Sequence, residues 1–189
     1  MNTEIICVLD RSGSMATVVD DSIGGFNTFL AEQKKLGDAK LSVVLFDHEY
    51  TPLYQGIDLK DAQELNHDTF VPRGSTALLD AIGKTISDAG KRFSNADVKP
   101  EKVIFVILTD GEENSSVEFS KSKIKEMIAH QTEKYSWEFI YLGANQDAIQ
   151  AGGSIGIAAA ACENYASDSD GTREAYSKMS LKVAKSRMK

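Results

Sequence analysis

Two aspartates and three hydroxyl side chains are the residues whose types and spacing could do chemistry. Three of them alternate in the segment Asp10-Arg11-Ser12-Gly13-Ser14. Alternate residues of a tight loop project to the same side, so one carboxylate and two hydroxyls converge, and Gly13 permits the turn. Oxygen ligands of this kind suit a hard cation such as Mg²⁺, which keeps several waters and needs few protein ligands.

Two further segments carry the other oxygens. Thr76 lies in the segment GSTAL, and Asp110 lies in the segment TDG. Each oxygen also has an ordinary structural explanation, because serine and threonine cap helices and Asp-Gly pairs form turns. These oxygen-bearing residues occur together at three strand-to-helix junctions, however, and this joint occurrence favours a shared set of metal ligands. The predicted metal ligands are Asp10, Ser12, Ser14, Thr76 and Asp110.

The elements that must position these residues are short apolar runs. Continuous runs of this length predict strands buried on both faces, which is typical of a parallel sheet covered by helices. Asp10 and Asp110 each follow such a run, so the fold would bring them to one sheet edge, where doubly wound sheets bind ligands. The runs are residues 5–9, 41–46, 103–108 and 137–142.

Helical periodicity separates these runs, and the alternation predicts an α/β fold. We expect a doubly wound, Rossmann-like, mostly parallel central sheet of about six strands, with helices on both faces. Residues 50–57 would form one antiparallel edge strand, and residues 158–165 fit either a strand or a helical piece. Residues 1–189 would form a single domain. The predicted helices are residues 15–35, 77–93, 120–135 and 171–188, and residues 167–171 a solvated loop.

Composition narrows the function classes. The chain has 189 residues, of which 42% are hydrophobic, enough for a core, and its net charge of −7 disfavours nucleic acid as a partner. Cys7 lies in an apolar run and is predicted to be a buried thiol, and neither it nor Cys162 belongs to a C-x-x-C pattern. Without a visible signal peptide or membrane-spanning stretch, we expect a cytoplasmic protein.

The three segments D-x-S-x-S, GSTAL and TDG, in this order, resemble the metal-ion-dependent adhesion site (MIDAS) of von Willebrand factor A (VWA) domains. The resemblance covers nearly the whole chain. Residues 109–114, 139–148 and 171–180 are similar to small stand-alone members of bacteria and phages. The resemblance to VWA domains implies that Ser12 and Ser14 contact the metal directly. Thr76 would also contact the metal directly, either always or only when a ligand is bound. The resemblance also implies that Asp10 and Asp110 bind largely through waters.

The resemblance implies a divalent-cation-dependent protein-binding module and not an enzyme. A bound Mg²⁺, with Mn²⁺ or Ca²⁺ as alternatives, would accept an Asp or Glu carboxylate from a partner protein, with no nucleic acid or membrane involved. Two other functions stay open. Asp10 could serve a Mg²⁺-dependent phosphohydrolase, although Ser12 stands where haloacid dehalogenase-type enzymes carry a second aspartate. The chain could also be a structural domain whose site is unused.

The sequence also predicts where several residues other than the five ligands lie. Arg11, where many family members carry a smaller or acidic residue, is expected to point to solvent, with steering of an incoming carboxylate as the alternative. Residues 112–114 are expected to form a solvated turn, with the alternatives that they line the rim of the site or add oxygens around the direct metal ligands. Residues 47–49 and 67–68 are expected to be surface loops, and residues 24–25 to mark a bend or close helix packing.

Overall fold

A computed structural model describes residues 2–145 and 147–189 of the chain. In this part of the chain the strands are β1 (Thr3–Asp10), β2 (Lys40–Phe46), β3 (Tyr50–Asp58), β4 (Lys102–Thr109), β5 (Glu138–Ala144) and β6 (Cys162–Tyr165). They form one sheet in the spatial order β3-β2-β1-β4-β5-β6. Only the edge strand β3 is antiparallel to its neighbour. The predicted fold class is confirmed.

Helices cover both faces of the sheet. They are α1 (Val19–Lys35), α2 (Leu78–Ser94), α3 (Lys121–Tyr135), α4 (Ala148–Ser154) and α5 (Ser169–Arg187). In the central strand β1, Ile5, Cys7 and Leu9 pack into the core beneath α1 and α5. Ile6 and Val8 pack into the opposite core, beneath α2, α3 and α4. Burial on both faces explains why β1 is continuously apolar.

The helix predicted over residues 15–35 is divided. A 3-10 turn, Gly13–Val18, precedes α1, as often happens where a chain enters a helix. The two glycines of α1 lie within a continuous helix, and Gly25 marks close packing. A Cβ atom on Gly25 would lie 2.5 Å from Cδ2 of Tyr176 in α5. This glycine therefore sets how closely α1 and α5 approach.

Two predictions for the C-terminal part of the chain, over residues 158–165 and 167–171, can be compared with the structure. Residues 158–165 contain both alternatives, because a 3-10 turn, Ala159–Ala161, leads into β6. The solvated loop predicted over residues 167–171 is wrong in its second half, because α5 already begins at Ser169. Asp168 accepts a 2.7 Å hydrogen bond from the backbone N–H of Gly171, so the polar residues of this stretch start a helix.

Two further observations concern the chain as a whole. Cys7 is buried as predicted, Cys162 is buried as well, and both are free thiols. Burial raises the pKa of the Cys7 thiol well above its usual range.

Among residues 2–145 and 147–189, no helix has the length and apolar character needed to cross a membrane.

The parallel register of β1 and β4 positions the candidate site. Leu9 pairs with Leu108, so the two central strands end side by side at the same edge of the sheet. Asp10 is the last residue of β1, and Asp110 directly follows β4. The fold thus brings together two carboxylates from distant parts of the sequence.

Candidate metal centre

The carboxylate of Asp10 lies wholly buried at the end of β1. Its Oδ1 accepts a 2.6 Å hydrogen bond from the backbone N–H of Ser12. Its Oδ2 accepts a 2.7 Å hydrogen bond from the hydroxyl of Thr109, which is not among the predicted ligands. Burial raises the pKa of Asp10 to about 6, although both hydrogen bonds act in the opposite direction. Asp10 is therefore a fixed carboxylate in an environment that disfavours its charge.

Ser14 connects the two strand ends. Its Oγ donates a 2.6 Å hydrogen bond to Oδ1 of Asp110 and lies 3.1 Å from Oγ of Ser12. Asp110 is buried, whereas Ser14 is exposed, so the oxygen cluster opens to the surface at Ser14. Burial raises the pKa of Asp110, and among the described residues its Oδ2 is buried without a hydrogen-bond partner. Within this part of the chain, neither Asp10 nor Asp110 has a positive charge that lowers its pKa.

Thr76 approaches the same cluster from the loop before α2. A Cβ atom on Gly111 would lie 3.5 Å from Oγ1 of Thr76 and 3.9 Å from Oγ of Ser14, so both hydroxyls flank this glycine. The backbone N–H of Thr76 donates to Oδ1 of Asn114 at 2.9 Å, and the N–H of Asn114 donates back to the Thr76 carbonyl at 3.0 Å. Asn114 thus fixes the position of Thr76.

Helix capping does not explain these hydroxyls. Ser12 begins the 3-10 turn without a side-chain capping bond, and α2 has Ala77 at its N-cap. Other residues bind the first amides of α2. Oε2 of Glu113 accepts from the N–H of Leu79 at 2.9 Å, and Oγ of Ser116 accepts from the N–H of Asp80 at 3.0 Å. The hydroxyls of Ser12, Ser14 and Thr76 therefore have no capping role.

The solvated turn expected over residues 112–114 is confirmed in part, because Glu112 and Asn114 are exposed, but Glu113 is half-buried and the side chains of Glu113 and Asn114 bind other segments. Glu113 binds the amide of Leu79 in α2 and the amides of Ser115 and Ser116 at 3.0 and 2.6 Å. Asn114 holds Thr76, as described above. Both side chains bind segments that are distant in sequence, so no local pattern identifies their role.

Arg11 does not point to solvent, because it is buried beneath the loop and only 7% exposed. Its Nε lies 3.1 Å from Oδ2 of Asp47, and its Nη2 donates to Oγ1 of Thr51 at 2.7 Å. Asp47 is wholly buried and also binds Nε of Arg73 at 2.9 Å, so a surface loop over residues 47–49 is wrong for Asp47. Arg11 is an anchor for the loop and is not placed to steer a ligand.

Asp47 is the centre of this anchor. Burial alone would raise its pKa, but hydrogen bonds from Arg73 and the Glu49 amide, with the charges of Arg11 and Arg73, hold the pKa below its usual value. Backbone bonds complete the attachment. The N–H of Arg73 donates to the carbonyl of Arg11, and the N–H of Gly13 donates to the carbonyl of Gly74, both at 3.0 Å. The loops that carry Ser12 and Thr76 are thus joined.

Asn145 supports Asp110 from the neighbouring strand end. Its Nδ2 donates a 2.9 Å hydrogen bond to the Asp110 carbonyl, while its own backbone has a φ of 56°. Asparagine tolerates this left-handed conformation better than most residues. The next residue of the segment that resembles VWA domains, Gln146, lies outside the described residues.

The five predicted ligands are brought to one edge of the sheet. Residues 2–145 and 147–189 contain no group of three or more His, Cys, Asp and Glu side chains placed to hold a metal ion. A metal at this edge would therefore depend on hydroxyl oxygens together with two carboxylates. Such an oxygen-only set matches the preference of Mg²⁺ and Ca²⁺.

Comparison with known proteins identifies the fold. No family model and no curated protein matches the sequence. Among similar solved structures, the PilB minor pilin from Streptococcus sanguinis superimposes with a TM-score of 0.68 at 12% identity, covering 97% of this chain and 61% of the pilin chain. The vWF domain of the type V pili tip protein Mfa5 from Porphyromonas gingivalis gives 0.66 at 10% identity, covering 96% and 95%.

A third similar structure carries the family name directly. The von Willebrand factor type A protein from Catenulispora acidiphila gives a TM-score of 0.60 at 18% identity, covering 97% of this chain and 42% of that chain. The chain thus spans less than two thirds of the pilin and Catenulispora chains, but nearly all of the Mfa5 domain. With its strand order and one antiparallel edge strand, this chain has the fold of von Willebrand factor A domains.

Proposed function

We propose that this chain is a protein-interaction module that holds a divalent cation, Mg²⁺ in the first place, with Mn²⁺ or Ca²⁺ as alternatives. The cation would accept an Asp or Glu carboxylate from a partner protein. The observation that carries this proposal is the exposed Ser14 hydroxyl, which touches both the Ser12 hydroxyl and the Asp110 carboxylate. The proposed ligands are Asp10, Ser12, Ser14, Thr76 and Asp110.

The chemistry of these residues fits a hard cation. Every donor is an oxygen, and the two buried carboxylates have raised pKa values, so a nearby cation would stabilise their charged forms. The side of the cluster at Ser14 is exposed and supplies neutral hydroxyls. A cation bound there would keep positive charge on its outer side, which favours a carboxylate as the next ligand.

The structural neighbours support the class of function. Two of them are a minor pilin and a pili tip protein, so this fold serves proteins of surface assemblies. By analogy, we assign protein binding to this chain. Fold similarity alone does not establish function, so the proposal rests mainly on the site residues.

The position of Asp10 favours binding over phosphohydrolase chemistry. A nucleophilic carboxylate needs an oxygen that can reach the phosphorus atom of a substrate. Asp10 is wholly buried, and its two oxygens accept bonds from Ser12 and Thr109. This arrangement suits a carboxylate that orients ligands or waters around a cation.

Calorimetric titration of Mg²⁺ and Mn²⁺ tests the metal site. We expect the wild type to bind one ion, and Asp10→Asn and Thr76→Ala to weaken binding by about tenfold or more. The control is Asp20→Asn, because the Asp20 carboxylate is 87% exposed and lies outside the cluster. Absence of binding by the wild type, or wild-type affinity in both site variants, would refute the assignment.

A second experiment tests carboxylate acceptance. Water proton relaxation is measured on the Mn²⁺-loaded protein while the α-amide of N-acetylglutamic acid is added. A carboxylate that replaces a metal-bound water should lower the relaxation rate. The α-amide of N-acetylglutamine has the same size without the charge and should leave the rate unchanged. The same response to both compounds would contradict carboxylate acceptance and leave the metal assignment intact.

A further inference from the structure

One oxygen of the candidate centre lacks a hydrogen-bond donor. Oδ1 of Asp110 accepts from Ser14, but Oδ2 is buried and no described protein group hydrogen-bonds to it. Leaving a buried carboxylate oxygen without a donor is costly, so such atoms normally have a partner in protein or ordered water. Oδ2 therefore indicates a further interaction, with an ordered water or an ion, at this edge of the sheet.

A matching donor lies two strands away. The hydroxyl of Tyr165, the last residue of β6, is also buried without a partner. Thr109 pairs with Gly143 between β4 and β5, and Ala144 pairs with Tyr165 between β5 and β6. One residue beyond Thr109, Asp110 falls in the same row as Ala144 and Tyr165. Adjacent strands lie about 4.8 Å apart, so the row spans about 10 Å from Asp110 to Tyr165.

The side chains of this row share one face of the sheet. Leu108, Leu142, Ala144 and Tyr165 all belong to the core beneath α1 and α5. Because side chains alternate along a strand, position 110 continues the face of position 108. Ala144 occupies the position between Tyr165 and Asp110 in this row, and a tyrosine ring is long enough to lie across its methyl group.

Electrostatics agrees with this placement. Burial raises the pKa of Tyr165 well above its usual range, and the charge of Asp110 is the largest further contribution. The Tyr165 hydroxyl therefore keeps its proton and acts as a hydrogen-bond donor. Tyr176 in α5 also has a buried hydroxyl without a partner among the described residues, but its pKa is raised by burial first and then by Cys7 and Asp10, with no contribution from Asp110.

We infer that Tyr165 is a positioning residue for the metal centre. Its hydroxyl, lying over Ala144, donates through one buried water to Oδ2 of Asp110 and fixes the orientation of the carboxylate that Ser14 contacts. Outer partners of this kind typically change metal affinity by about 10- to 100-fold. The inference rests on the proposed function, because it concerns the same centre.

The test is Tyr165→Phe, which removes only the hydroxyl. Mg²⁺ and Mn²⁺ affinities are measured by calorimetry, and the stability of the metal-free protein by chemical denaturation. We expect metal affinity to fall by about tenfold. The metal-free protein should also lose some stability, because the water at Oδ2 of Asp110 loses its donor. A merely structural role would lower the stability of the metal-free protein and leave metal affinity unchanged.

Two companion variants sharpen the result. Tyr176→Phe removes a comparable hydroxyl outside the row and should keep wild-type metal affinity. Ala144→Val places a larger side chain between Tyr165 and Asp110 and should weaken metal binding while the Tyr165 hydroxyl is intact.

The outcomes separate this inference from the proposed function. A wild type that binds metal while Tyr165→Phe binds it equally well overturns the inference alone. So does an equal loss of affinity in Tyr165→Phe and Tyr176→Phe. A wild-type protein that binds neither Mg²⁺ nor Mn²⁺ overturns the proposed function and this inference together.

Discussion

Ser14 and Asp110 are joined by a 2.6 Å hydrogen bond across a sequence separation of 96 residues. The bond connects the loop after β1 to the end of β4, at the edge where both central strands stop. Because Ser14 also touches Ser12, the side-chain oxygens of Ser12, Ser14 and Asp110, three of the five candidate ligands, form one connected group from the fold alone. A cation would bind to oxygens that are already close together, with little reorganisation of the loops.

The first prediction concerns this bond. Ser14→Ala removes a proposed metal ligand and also the donor to Oδ1 of Asp110. We expect Mg²⁺ affinity to fall by about tenfold or more. The free energy of unfolding without metal should fall by about 1 kcal/mol. Calorimetry measures the affinity, and chemical denaturation measures the stability.

Ser154→Ala is the matched control for this variant. The Ser154 hydroxyl donates to the Ala151 carbonyl within α4 and is no part of the oxygen cluster. Its removal should leave metal affinity unchanged. Wild-type affinity in Ser14→Ala would show that the serine does not ligate the ion.

Much of the fold and the approximate position of the site could be predicted from the sequence. Continuous apolar runs identify strands buried on both faces, and such strands are parallel and end at one edge. Asp10 directly follows one of these runs and Asp110 lies two residues beyond another, so their approach depends only on the two strands being neighbours. The alternation of Asp10, Ser12 and Ser14 lies within one short segment, so it can be recognised in the sequence without knowledge of the fold.

The support around the site could not be predicted, because its partners are distant in sequence. Asn114 binds the amide of Thr76, 38 positions away, and Arg11 meets Asp47, 36 positions away. A polar side chain read alone suggests exposure, since charged residues are seldom buried without a partner. Only the three-dimensional arrangement shows that Arg11 and Asp47 neutralise each other beneath the loop.

The second prediction tests how Thr76 is held. Asn114→Ala removes the acceptor of the Thr76 amide, so the Thr76 hydroxyl should lose its fixed position. We expect Mg²⁺ affinity to fall by about tenfold, as for other outer partners of metal ligands. Calorimetric titration against the wild type measures the effect.

Asn114→Asp provides the matched comparison, because aspartate keeps an acceptor oxygen at the same place. This variant should retain metal affinity close to that of the wild type. If Asn114→Ala binds Mg²⁺ as tightly as Asn114→Asp does, Thr76 does not need this support.

The third prediction concerns acid stability. Asp47→Asn leaves the buried Arg11 without its charged partner, and we expect a loss of about 3 kcal/mol of unfolding free energy near neutral pH. The native pKa of Asp47 lies below its usual value, so its contribution is complete above the unfolded pKa of about 3.9. The contribution is then lost as pH falls through the lower native pKa. Denaturation curves at several pH values should show the gap between wild type and variant closing in acid.

Asp58→Asn is a suitable control for this effect. Its pKa is also lowered, by the hydrogen bond and charge of Lys40, but the Asp58 side chain is 49% exposed. Exposed pairs contribute little, so this variant should remain close to the wild type at every pH. A gap for Asp47→Asn that persists unchanged in strong acid would contradict the role of its charge.

The fourth prediction compares two adjacent glycines of α1. A Cβ atom on Gly25 would meet the Tyr176 ring at 2.5 Å, whereas a Cβ atom on Gly24 would have nothing within 4 Å. Alanine favours a helix interior over glycine by about 0.5–1 kcal/mol, and both substitutions receive this benefit. Gly24→Ala should therefore be stabilising. Gly25→Ala should be destabilising by about 1–3 kcal/mol, because the buried ring of Tyr176 must shift. Chemical denaturation measures the free energy of unfolding of both variants.

The helix contribution is common to the two variants, so the difference in stability between them reports the contact of α1 with α5. A stabilising Gly25→Ala would show that the two helices can separate at little cost.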